Sequence, residues 1–115
     1  MSITRASKDL YQPLSPAHRQ RLADMVAKLR PLPGTEASLS ATEICFYELL
    51  QILKGYSVDD APNPFLVDLE AIREGEYEKC RNRFVSLSIR NNAVRLFKNK
   101  LIGTINMWLE NKPSR

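Results

Sequence analysis

From residue 15 onward, apolar residues recur at helical intervals in four blocks, and the stretches between blocks are short and rich in polar residues or proline. Leu22, Met25, Val26 and Leu29 form one stripe behind Ser15-Pro16, a capping hydroxyl followed by proline at the first helical position. Pro31 ends that block, and Pro31-Leu-Pro-Gly34 reads as a stiff connector. Ser40-Ala-Thr-Glu43 has the spacing of a capping box, with Leu39 and Ile44 at the two staple positions. Ile44 to Leu53 is apolar around nearly its whole circumference, which predicts a helix enclosed by the others and closed by a left-handed Gly55.

Asn63-Pro64 repeats the cap-and-proline signal. Phe65, Leu66, Leu69, Ile72, Tyr77, Cys80, Phe84 and Leu87 keep helical spacing beyond it, with Gly75 as a weak point. Phe84 to Ile89 also alternates apolar and polar, but a lone strand has no partner elsewhere in the chain. Asn91-Asn92 is the expected break before a last helix in which Val94, Phe97, Leu101, Ile105 and Trp108 share one face. The expected architecture is all-α: a single-domain bundle at 15–115 of four helices, approximately 15–30, 40–54, 64–88 and 92–111. Residues 1–14 lack a clean period and form an N-terminal arm that Leu10, Tyr11 and Leu14 could dock.

Charge changes this picture more than composition does. The net +4 divides into +4 over residues 1–35, −8 over 36–78 and +8 over 79–115, where Glu110 is the only acid. Such segregation predicts either a basic surface for a polyanion or two elements that neutralise each other. Surface ion pairs contribute only about 0–1 kcal/mol each, which makes segregation on this scale a poor stability device. The expected function is therefore a small non-catalytic binding or regulatory protein that engages a nucleic-acid backbone, DNA or RNA, with little sequence specificity.

The residues assigned to that contact are Arg81, Arg83, Arg90, Asn92, Arg95, Lys98, Asn99 and Lys100, because Arg and Lys bind phosphate while Arg and Asn also bind base edges. Phe84, Phe97 and Trp108 fall at core spacing, so aromatic stacking adds little to the expectation. A helix-turn-helix between the second and third helices is excluded by the nine residues at 55–63, although a turn near Ser88–Asn92 leaves that motif open. Leu96, Gly103 and Met107 lie opposite the core stripe. They give the competing reading, a protein–protein adaptor or inhibitor or a homo-oligomer, which could also use the acidic middle helices; a second buried face is the plain alternative for that strip.

Catalytic and cofactor chemistry is not expected. His18, the only histidine, reads as a surface imidazole, and no glycine-rich phosphate loop is present. Cys45 and Cys80 lack metal or redox spacing and read as buried reduced thiols, consistent with a cytoplasmic protein. Glu70, Glu74 and Glu78 at i, i+4 spacing read as a solvated acidic face rather than a cation site, and no metal is assigned. Neither a small-molecule substrate nor a membrane partner is expected.

Overall fold

A computed structural model describes residues 11–110, and these form an all-α bundle of four helices. Helix α1 is Pro16–Leu29, α2 is Leu39–Lys54, α3 spans 64–81 and α4 is Leu87–Glu110. Helix α4 lies against each of the other three. Among the described residues no helix is long and apolar enough to cross a membrane. Residues 1–10 of the expected arm, Leu10 included, lie outside the described region. Leu14 is buried, and the Tyr11 ring packs edge-on against Phe65 at 5.1 Å.

The two proline-marked starts form as their chemistry requires. Ser15 Oγ accepts from the His18 N–H at 3.1 Å, satisfying one of the first-turn donors that has no partner within its own helix. Asn63 does more. Its Oδ1 accepts from the N–H groups of Phe65 and Leu66 at 3.0 and 3.3 Å, while its Nδ2 donates to the Leu53 carbonyl at 2.9 Å. One buried side chain thus caps the start of α3 and the end of α2.

Helix α2 starts one residue early and without the capping box. A 3₁₀ turn at Glu36–Ser38 runs straight into it, so Ser40 already lies inside the helix. Glu43 does not reach back to Ser40, because its carboxylate accepts a 2.6 Å hydrogen bond from the Tyr77 hydroxyl. Thr42 Oγ1 instead donates to the Ser38 carbonyl at 2.9 Å. The expected enclosure of α2 also fails. Thr42, Cys45, Phe46, Leu49 and Leu53 are buried, but Ile44 is 67% and Tyr47 47% exposed, so one flank faces solvent and the Leu39–Ile44 staple does not close. Gly55 stays right-handed at φ −67°, and the left-handed residue of the following loop is Asp60, φ 65°.

Helix α3 changes pitch at its weak point: Pro64–Ile72 is α-helical, Arg73–Tyr77 is a π-helical turn containing Gly75, and Glu78–Arg81 resumes the α form. The helix then stops at Arg81 and not at 88. Asn82 is extended, with φ −74° and ψ 115°, and its Oδ1 accepts from the Phe84 N–H at 2.8 Å. Ser86 Oγ accepts from the Ile89 N–H at 3.3 Å, which starts α4 at Leu87 rather than at Asn92. Asn91 lies inside α4, where its Oδ1 caps the 3₁₀ turn through the Glu36 N–H at 2.7 Å.

Two aromatic clusters fill the core. Phe46, Tyr77 and Phe97 meet between α2, α3 and α4, with Tyr77 stacked on Phe97 at 4.8 Å and 19°. Phe65 is the hub of the other, touching Tyr11, Tyr56 and Trp108 at 5.1, 5.7 and 5.2 Å. Asp68 closes this cluster by accepting from the Tyr11 hydroxyl at 2.7 Å and from the Trp108 indole N–H at 2.9 Å. Phe84 and Leu87, expected in the core, are 97% and 56% exposed.

Candidate interaction surface

Helical geometry sorts the expected contact residues along α4. Projected at about 100° per residue, Val94, Phe97, Leu101, Ile105 and Trp108 cluster around one direction, and Asn92, Leu96, Asn99, Gly103 and Met107 cluster opposite. The structure agrees: the first set is buried, and the second is exposed together with Arg95 and Lys100.

Lys98 behaves differently from its expected role. It projects within about 40° of Val94 and is only 8% exposed, with its ammonium donating to the Leu32 carbonyl in the connector. The long aliphatic stem lets it cross the packed layer and end on a polar group, so it ties α4 to the connector and does not face a ligand. Arg90 is half-buried. Its guanidinium meets Glu36 at 2.5 Å, beside the bond from the Glu36 N–H to Asn91.

Four of the expected cations remain at the surface with no carboxylate of the described residues within 4.0 Å: Arg81, Arg83, Arg95 and Lys100. The Arg81 guanidinium lies 5.8 Å from the Tyr77 ring centre. Arg95 donates to Asn92 Oδ1, and its side-chain stem runs across Gly34 so closely that a Cβ there would sit 2.8 Å from Arg95 Cβ and Cγ. These cations do not make one compact patch. Arg81 and Arg83 flank the α3–α4 turn, whereas Lys100 lies about 20 Å along α4 from its first residue at 1.5 Å per residue. Around α4, Arg95 and Lys100 project about 140° apart, on the two flanks of its solvent face.

Among the described residues the acids of α3 form no ion pair with these cations, although Glu74 and Glu78 lie beside Arg81. Glu70 pairs on its own helix with Arg73 through bonds of 3.1 and 2.6 Å. Hydrogen bonding from Arg73 holds the Glu70 carboxyl below its usual range, and the same bond raises the guanidinium. Glu74 and Glu78 border a shallow depression with Lys79, Arg81 and Asn82 and make no ion pair there. Among the described residues, no group of three His, Cys, Asp or Glu side chains is placed to hold a metal ion.

The partner strip is open. Leu96 is 37% and Met107 46% exposed, and a Cβ built on Gly103 meets nothing within 4 Å, so a second core face is ruled out there. His18 is not a free surface imidazole: its Nδ1 lies 2.7 Å from the Tyr56 hydroxyl, which also accepts from the Ser15 N–H at 2.9 Å. With that acceptance made, the phenol proton is free for Nδ1. Burial raises both thiols, Cys80 to about 11.

The sequence reading missed the α3–α4 turn as a surface feature. Phe84 projects fully into solvent, followed by Leu87 and Ile89, each 56% exposed. A signal was present. The apolar-polar alternation of Phe84 to Ile89 breaks the helical period there, between two turn-forming side chains, Asn82 and Ser86. No family model, curated protein or solved structure matches the chain, so its functional reading rests on this surface.

Proposed function

We propose that the chain is a non-catalytic cytoplasmic binding protein that engages a nucleic-acid backbone through Arg81, Arg83, Arg95 and Lys100, with Asn92 and Asn99 adding hydrogen bonds and little sequence specificity. The observation that carries this reading is that, among the described residues, these four exposed cations make no ion pair. Each can therefore displace a condensed counterion from a phosphate chain without first breaking a salt bridge of that kind.

Anisotropy titration against mixed-sequence DNA and RNA tests it. Four phosphate contacts give a slope near −0.9 per contact on duplex DNA, so affinity should fall about 100-fold between 50 and 200 mM salt. Arg83→Glu with Lys100→Glu should abolish binding and leave the melting temperature unchanged, since both side chains are exposed. Absence of binding at 50 mM salt would sink the reading.

A second reading has its own observation, the solvent-facing Leu96–Gly103–Met107 strip. Its bare glycine allows another helix to approach closely, from a protein partner or a second copy of the chain. Sedimentation across a hundredfold range of protein concentration tests the self-association form. Mass that rises with concentration and returns to the monomer value in Met107→Glu supports it; a constant monomer mass removes it.

A further inference from the structure

We propose that the nucleic acid is single-stranded and that Phe84 is the platform on which one of its bases stacks; this rests on the backbone-binding reading above. Phenylalanine belongs in cores, and a side chain 97% exposed leaves both ring faces open to a planar partner. The backbone that carries the ring is held. Asn82 fixes the turn by accepting from the Phe84 N–H at 2.8 Å, and Ser86 anchors the start of α4 by accepting from the Ile89 N–H at 3.3 Å.

Arg81 and Arg83 precede the ring in sequence, both exposed and neither in an ion pair with a described residue. Exposed cations beside an open aromatic face supply what single-strand binding uses: phosphates held by charge, bases by stacking, with little dependence on sequence. Leu87 and Ile89, each 56% exposed, extend the apolar surface beyond the ring for a neighbouring base.

An apolar pocket on a partner protein would receive Phe84 but leave the arginines unaccounted for. A single strand uses both, its phosphates by charge and its bases by stacking. An anionic lipid surface would also meet the arginines and the ring, and the vesicle arm of the test separates it. Duplex DNA keeps its bases stacked inside and offers the ring nothing, so the structure points to preference for single strands.

The test is anisotropy titration of labelled oligo(dT) and oligo(U), and of a DNA duplex of equal length, at 50 mM salt with the full chain and its variants. Wild type should favour the single strands. Phe84→Ala should weaken single-strand binding at least fivefold and leave duplex binding within twofold, and Phe84→Tyr should restore it. Thermal melting of Phe84→Ala should match wild type because the side chain touches almost nothing, so a loss of binding is not a loss of fold. Equal binding of single strand and duplex, unaffected by Phe84→Ala, overturns the stacking role while the backbone reading stands. No binding to either nucleic acid overturns both, and sedimentation of the chain with phosphatidylserine vesicles in a Phe84-dependent manner would then assign the turn to a lipid surface.

Discussion

Asn63 shows how much one side chain can carry. It receives two N–H groups from the first turn of α3 and supplies a second donor to the Leu53 carbonyl, which also accepts from the Tyr56 N–H at 3.1 Å. Ser15 receives one N–H from the first turn of α1. Removing a single capping group costs about 1 kcal/mol, whereas removing Asn63 leaves two N–H groups of α3 without an acceptor and takes one donor from the end of α2, in a site only 8% exposed. Ser15→Ala should therefore lower unfolding free energy by about 1 kcal/mol and Asn63→Ala by about 2–3 kcal/mol. Urea titration followed by Trp108 fluorescence measures both, and equal losses would refute the double cap.

At the scale of the element, three glycines stand in helices or against them and their surroundings differ. A Cβ at Gly75 in the π-helical turn of α3, or at Gly103 on α4, meets nothing within 4 Å, whereas one at Gly34 meets the stem of Arg95 at 2.8 Å. Alanine in open helix is favoured over glycine by about 1 kcal/mol, and forcing a methyl into an occupied space costs about 1–3 kcal/mol. Gly75→Ala and Gly103→Ala should raise the melting temperature; Gly34→Ala should lower it, because α4 and the connector must separate. Scanning calorimetry on the three variants gives the signs, and a stabilising Gly34→Ala would mean that the connector does not pack on α4 as described.

The same elements explain what could be foreseen. Ser15-Pro16 and Asn63-Pro64 are local signals, complete within two residues, and both formed. The α3–α4 break was misplaced by several residues because Asn82, Ser86, Asn91 and Asn92 are all turn formers, and the choice among them was made at long range: Asn91 is claimed by the Glu36 N–H. The capping box at Ser40 failed for the same kind of reason, since Tyr77 takes Glu43 from 34 residues away. Lys98 is another matter. Its direction on the helix was available from the apolar stripe alone, and the residue type had outweighed it. Phe84 was assigned to the core by extending a helical period through a segment whose alternation already contradicted it.

For the molecule as a whole, the phenols of Tyr11 and Tyr77 and both thiols shift the same way. Burial, reinforced by the Asp68 carboxylate, raises the Tyr11 phenol. Burial and then the Glu43 hydrogen bond raise Tyr77, and burial raises Cys45 and Cys80, the latter from 9.0 to about 11. Each of these groups keeps its proton in the folded chain at a pH where the unfolded chain has lost it. Above pH 9 the unfolded state therefore binds fewer protons than the native state, and stability falls as pH rises, by up to about 1.4 kcal/mol per pH unit for each group protonated only when folded. Below about pH 8 these groups contribute almost no slope. Their part of the urea midpoint should be nearly constant from about pH 7 to 8, begin to fall as the unfolded thiols ionise, and decline steeply between about pH 9 and 11. Tyr77→Phe should start lower at pH 7, having lost the bond to Glu43, and should decline less above pH 10 because it no longer carries that proton. A midpoint unchanged to pH 11, or a Tyr77→Phe curve parallel to wild type, would show that the buried hydroxyl and thiols do not govern the alkaline limit of the fold.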